Sequence, residues 1–358
     1  MNDKQSTIKR PISIEGVGLH TGNVVKLTFN PAPENHGFKF QRTDLDEQPI
    51  INADCDYVTD TSRGTTLEHK GSKVSTVEHV LAACVGLQID NLLIQVDAAE
   101  MPIMDGSSKP FVDILLEAGI EFQEAEREYF EIPHNIHYHD DNGNVEMVAM
   151  PLNNYRLTVM VDYNSPVLGS QHASVMGMND FVDEISSCRT FCFLHELEAM
   201  YNEGLIKGGD LNNAIVIVDR VVEENEMEQL AKMFNKPKVE VRKEGILNNV
   251  DLRFQNEPAR HKLLDIIGDL ALVGVPLKGQ IMAARPGHAA NVAFAKKIKA
   301  AMKAQKRQQS KGGPQIDWSK PALYEYKDIN NFLPHAHPFL LVDRIMSKTE
   351  KEIVAVKN

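Results

Sequence analysis

The run RHKLLDIIGDLALVG, which begins at Arg260, constrains this chain more tightly than any other stretch. It is mostly apolar, yet His261, Asp265 and Asp269 recur in it at strict four-residue spacing. With His261 at the origin and about 100° per residue, Asp265 falls near 40°, Asp269 near 80° and Lys262 near 100°; Leu263, Leu264, Ile266, Ile267 and Leu270 fill roughly 140° to 300°. The spacing predicts a two-faced helix with one imidazole and two carboxylates on its polar face. A His and an Asp one turn apart can both reach one metal ion, by the geometry that serves zinc-binding helices. Asp269, one turn further on, is placed to support a neighbouring group from behind. On this stretch alone a solvated charged face explains the spacing more simply, so the metal reading needs a further ligand.

Two other stretches offer one. In STVEHV, Glu78 and His79 fall in the first turn of a helix predicted over 75–87. Ser75-x-x-Glu78 has the form of a capping box, and that reading serves the motif as well as a metal reading does. In ARPGHAAN, His288 follows Pro-Gly in a turn between a predicted strand and helix, where chains often present functional groups. A plain surface histidine accounts for it equally. FLHELEAM holds His195-Glu196 without the second histidine of a zinc-protease motif. His134, His137 and His139 in PHNIHYHD read as a surface cluster. The four cysteines, Cys55, Cys84, Cys188 and Cys192, form neither a disulfide framework nor a second metal pair. They read as reduced, buried or partly buried thiols of a cytoplasmic protein.

A chain of 358 residues exceeds one typical core, so two domains or more are expected. Both halves mix short strands with helices. The first domain is read as 1–125, closing in the charged run QEAEREYFE, and the second as 126–302. From Lys303 to residue 320 the chain is polar and contains Gly and Pro, a linker signature. The compact apolar segment 321–358 is short for a core of its own. Net charge is −12, which excludes an overall basic footprint for nucleic acid; an anionic substrate would need a local basic pocket. The N-terminus has no signal-peptide core, and no run reaches the roughly 18 apolar residues of a membrane span.

Seven stretches occur in one order: GVGLHTG, STVEHVLAA, IDNLLIQVDAAEMPIMDGSSKPFV, SSCRTFCF, GLIKGGDLNNAIV, RHKLLDIIGDL and PGHAAN. Over roughly residues 5–302 the chain resembles the UDP-3-O-acyl-N-acetylglucosamine deacetylase family, zinc enzymes of the committed step of lipid A synthesis. The resemblance implies an α+β fold of two similar sheet-and-helix domains packed as a β-α-α-β sandwich, with the site between them. It implies His79, His261 and Asp265 as zinc ligands, iron(II) also suiting such a set. It implies Glu78 as general base, His288 as general acid, Thr190 as a hydroxyl supporting the oxyanion, and Asp269 as the partner of His288. Lys262, Phe191, Leu19 and Leu197 are implied as substrate contacts. An insert at about 191–214 is implied to form an apolar passage for the acyl chain, walled by Phe193, Leu194, Leu197 and Met200.

The tail, DINNFLPHAHPFLLVDRI, resembles the opening of a 3-hydroxyacyl-carrier-protein dehydratase of the hot-dog fold. His335 and His337 match its opening motif rather than its catalytic residues. The tail is therefore expected to be a truncated dehydratase start, without dehydratase activity; such a domain, when complete, offers a route to oligomerisation. A binding protein that keeps the fold without the activity, and a dehydratase acting on acyl carrier protein, are the competing readings.

Overall fold

The period-2 runs become strands buried on alternate residues. In Tyr155–Asp162, Leu157, Val159 and Val161 point inward; in Val24–Pro31, Val25, Leu27 and Phe29 do. The computed structural model describes residues 4–163, 165–202, 206–208, 210, 213–233, 238–242, 245–247, 250–311, 316, 319–329, 331, 342–349 and 353–357. The helices, in chain order, are α1 (Glu78–Gly86), α2 (Lys109–Ala118), α3 (Phe181–Glu184), α4 (Leu194–Asn202), α5 (Glu224–Met233), α6 (Glu257–Ala271), α7 (His288–Lys311) and α8 (Tyr326–Ile329).

Two sheets repeat one topology. The first runs Ile12–Val17, Val24–Pro31, Leu92–Val96, Phe38–Arg42, Ile50–Asn52 in space. The second runs Ile136–His139, Glu146–Met150, Leu277–Ala284, Tyr155–Asp162, Ser170–Val175, with the short strand Phe130–Glu131 also paired to Leu277–Ala284. In each, the last strand in the chain enters the centre, antiparallel to one neighbour and parallel to the other. In each, a helix leads into that strand and another follows it: α1 and α2 in the first case, α6 and α7 in the second. The two halves are alike in the path of the chain, which the residues themselves do not repeat. α6 packs on strands Tyr155–Asp162 and Ser170–Val175, α2 packs on Ile12–Val17, and α1 and α6 pack directly on each other.

Several expectations are corrected. Ser75 does not cap α1. Its hydroxyl donates to the Ala99 carbonyl, it bridges to Glu100, and the helix begins at Glu78 behind Val77, which makes no side-chain cap. The polar face of α6 is not solvated: His261, Asp265 and Asp269 are all buried. α7 continues to Lys311, so residues 303–311, read as linker, are helical.

The chain divides into two compact units, Met1–Lys299 and Ala300–Asn358. The smaller unit contains α8 and an antiparallel pair, Arg344–Lys348 with Ile353–Val356. His335 and His337 lie outside the described residues. Among the described residues no helix is long and apolar enough to cross a membrane.

Candidate metal centre and active site

Two helices from distant parts of the chain build the site. Glu78 and His79 open α1; His261, Asp265 and Asp269 line one side of α6. Gly268 lets the helices meet. A Cβ there would stand 2.0 Å from the Glu78 backbone oxygen, so any larger residue would push α6 away from the start of α1. α6 starts at Glu257-Pro258, with proline in the first turn where its missing N–H costs nothing, and Gly274 beyond its end takes φ +90°.

His79, His261 and Asp265 bring one ligand atom each to a common point, all within 4.8 Å of one another. Asp265 Oδ1 stands 3.4 Å from His261 Nε2 and 3.7 Å from His79 Nε2. Ligand atoms about 2.0–2.2 Å from a tetrahedral ion are themselves about 3.3–3.6 Å apart, so these separations suit one ion. Asp265 Oδ1 is buried with no hydrogen-bond partner among the described residues, while Oδ2 accepts from Lys262 Nζ at 2.9 Å. Burial alone would raise the Asp265 carboxyl, but Lys262, His261 and His288 hold it well below the usual carboxylate range. The Cys188 carbonyl lies 3.0 Å from His261 Nδ1, leaving Nε2 turned to the cluster. Burial, against the pull of Asp265, brings His261 down to about 3, so its imidazole is neutral. An anionic oxygen without a donor beside two imidazoles fits a divalent cation.

Beside this cluster runs a second chain of groups. Asp269 is fully buried and accepts from three groups: Thr65 Oγ1 at 2.5 Å, Asn291 Nδ2 at 2.9 Å, and His288 Nδ1 at 3.0 Å. The other ring nitrogen of His288 faces Glu78 Oε1 at 4.0 Å. Burial would lower His288, but Asp269, Asp265 and Glu78 outweigh it and push it up to about 10. Glu78, whose Oε2 accepts from the Thr65 N–H at 2.9 Å, is raised by burial against the influence of His288 and His79.

Thr190, half-buried, directly precedes Phe191, and its N–H donates to the Gly106 carbonyl at 2.8 Å. Gly106 has φ +82°, and a Cβ there would meet the Asn213 carbonyl oxygen at 2.0 Å. Phe191 packs edge-on to Tyr163 and stands 6.5 Å from the His261 ring; Lys262 Nζ is 5.5 Å from the Phe191 ring centre. Strand Phe191–Phe193 pairs in parallel with Ile215–Ile217. Leu194 and Leu197 are buried in a small core against which Leu19 packs, and Phe193 is buried in an adjoining one that also holds Phe191. The Met200 side chain lies outside the described residues. The structure thus brings Glu78, His79, His261, Asp265, Asp269 and His288 together, sets Phe191 and Lys262 beside them, and places Leu19 and Leu197 in a nearby apolar core.

Other histidines stay apart. His134, His137, His139 and His195 are exposed. All four cysteines are free thiols; Cys55, Cys84 and Cys188 are buried and Cys192 is half-buried. Asp54, Cys55 and Asp56 also cluster, but Lys299 Nζ already sits on both carboxylates, at 2.5 Å from Asp54 Oδ2 and 2.7 Å from Asp56.

Four residues at the site were not singled out from sequence. Thr65 and Asn291 hold Asp269; only Asn291 had a signal, three residues after His288 in PGHAAN. Arg189 and Glu257 form a buried clamp. Glu257 accepts from Arg189 N, Nε and Nη2 at 3.0, 2.9 and 3.1 Å and from Arg253 N at 2.7 Å. The clamp ties the segment carrying the Cys188 carbonyl and Thr190 to the first turn of α6, four residues ahead of His261.

The family model for UDP-3-O-acyl N-acetylglycosamine deacetylase matches residues 5–239 and 233–300. The chain belongs to that family. A bifunctional LpxC/FabZ enzyme of Chlorobaculum tepidum is 48% identical over 360 residues, covering 99% of this chain and 76% of that protein. The bifunctional LpxC/FabZ enzyme of Bacteroides thetaiotaomicron is 43% identical over 355 residues, with the same coverage of 99% and 76%. A UDP-3-O-acyl-N-acetylglucosamine deacetylase of Myxococcus xanthus is 40% identical over 295 residues, covering 82% of this chain and 86% of that protein. The α+β fold with its repeated half agrees with this membership.

Proposed function

We propose that this chain hydrolyses the N-acetyl group of UDP-3-O-acyl-N-acetylglucosamine, releasing acetate, in the deacetylation step of lipid A biosynthesis. The observation that carries the reading is the joining of a His-His-Asp cluster to Glu78 and His288 in a member of this family. His79, His261 and Asp265 would hold the metal, which we assign as zinc; two imidazoles and a carboxylate are its usual ligands in sites that keep a position open. Bound there, zinc supplies Lewis acidity and an acidified water.

The chain's own groups then divide the proton work. Glu78, next in sequence to His79, is placed to take a proton from water attacking the amide carbonyl. His288, charged through its bond to Asp269, is placed to give a proton to the departing amine. Thr190 would donate its hydroxyl to the developing oxyanion, and the nearby His288 cation favours the same charge. Asp269 fixes the ring of His288 and is itself fixed by Thr65 and Asn291. Lys262 and Phe191 would contact the sugar nucleotide, with Leu19 and Leu197 along the acyl chain. The two similar halves, 1–125 and 126–302, would be domains that meet at α1 and α6. The free thiols suit a reducing compartment such as cytoplasm.

The test is acetate release from the acylated UDP-sugar, after chelation and again after zinc is restored. Loss and recovery are expected. Folded, zinc-loaded protein that binds the nucleotide sugar and releases no acetate would make the chain a binding protein instead. Glu78→Ala should keep the metal and lose most of the rate.

A further inference from the structure

Both site helices have a second side, and a cavity of about 500 Å³ lies against it. Val85 from the end of α1 and Ile89 just after it form one wall; Ile267, Leu270 and Ala271 of α6 form another, and Leu277 adjoins them. Ile267 and Leu270 occupy the side of α6 turned away from His261 and Asp265. The volume falls within the range of about 300–1,000 Å³ typical of small-molecule sites.

Polar groups on the remaining wall are mostly committed to each other. Asp90 accepts from Arg127 Nε at 2.7 Å and from the Ser6 N–H at 2.9 Å. Asp54 is held by Lys299. Lys278 lies over the Tyr129 ring, 4.5 Å from its centre, and pairs with Glu131. The exposed Asp180, Asn52 and Asn179 also line the cavity, and two of its less exposed groups are uncommitted donors. The Tyr129 hydroxyl is buried with no hydrogen-bond partner among the described residues, and Lys39 has no carboxylate partner among them. An aliphatic floor with an uncommitted hydroxyl and an uncommitted ammonium selects an acceptor-headed, anionic amphiphile.

We propose that this cavity is a second binding site, separate from the catalytic one, for a medium-chain carboxylate or a molecule with the same anionic head and aliphatic tail. The head sits with Lys39 and the Tyr129 hydroxyl; the tail lies on Ile267, Leu270 and Leu277. The occupant touches the backs of both helices that carry the metal-ligating residues. This site stands apart from the deacetylase reading and holds or fails without it.

The full chain is titrated calorimetrically with dodecanoate and with dodecanol, as wild type, Ala271→Trp and Lys39→Glu. Dodecanoate should bind the wild type saturably, and Ala271→Trp, which fills the cavity, should weaken it by about tenfold or more. Lys39→Glu should weaken dodecanoate by about fivefold or more and leave dodecanol unchanged. Wild type without saturable binding overturns the proposal. So does unchanged affinity in folded Ala271→Trp, which would put the probe in the acyl-chain passage. If Ala271→Trp does not fold, equal dodecanoate affinity in Lys39→Glu and wild type overturns it.

Discussion

Gly268 and Glu78 are in backbone contact: a Cβ on the first would lie 2.0 Å from the carbonyl oxygen of the second. The atoms of His79, His261 and Asp265 that are proposed to hold the metal converge where α1 and α6 make that approach. Gly268→Ala should separate the helices, cost about 1–3 kcal/mol in stability, and lower metal content disproportionately. Denaturant melts with metal analysis of the purified variant check this. Full metal occupancy with unchanged stability would show that the helices can yield without disturbing the cluster.

Glu257 takes four donors from Arg189 and Arg253 in a buried setting. Glu257→Gln leaves the Arg189 guanidinium buried beside a neutral amide, and should cost about 3–5 kcal/mol. The segment bearing the Cys188 carbonyl would loosen from His261 Nδ1, with a metal-affinity loss of about 10–100-fold. Competition with a chromophoric chelator reads this without any turnover. Loss of stability with wild-type metal affinity would confine the clamp to folding.

His288 is held up to about 10, despite its burial, by Asp269, Asp265 and Glu78. A raised histidine is charged below that value and loses its proton as pH rises through it. The rate should therefore hold through neutrality and fall on the alkaline side towards pH 10. Asp269→Asn removes the partner anion, so the alkaline limb should move down towards the ordinary histidine value of about 6.5. A pH–rate profile with an unmoved limb would take the proton-donor role from His288.

Burial raises every thiol in the chain: Cys55 to about 11, Cys188 and Cys192 to about 12, and Cys84 further still. A thiol reagent at pH 7–8 should thus label the native protein slowly and the denatured protein at once. Rapid native labelling of one cysteine would mark local opening there, and mass spectrometry would locate it.

Periodicity was enough to place α6 and to group His261, Asp265 and Asp269 on one side of it. It was not enough to say what covers that side. The solvated reading failed because the polar first turn of α1 lies against it, and that contact joins residues far apart in the chain. The same reason hides Thr65, whose hydroxyl reaches Asp269 across most of the first unit, with nothing in its local sequence to mark it. Ser75-x-x-Glu78 misled because both side chains are taken by tertiary partners, Ala99 and Thr65, before a cap can form. The strands of the core were legible where alternation was clean, as in Tyr155–Asp162. Short ones such as Ile50–Asn52 are specified by their neighbours in the sheet rather than by their own residues.

His79 and His261 stand about half the chain apart, and His288 later still. During synthesis the first histidine therefore emerges long before its partners exist. An ion held by His79, His261 and Asp265, as proposed, would be captured correctly only when translation has delivered α6 and both repeated halves have closed on each other. Until then His79 is one imidazole on an unfinished chain, so loading the metal reports that the architecture is complete.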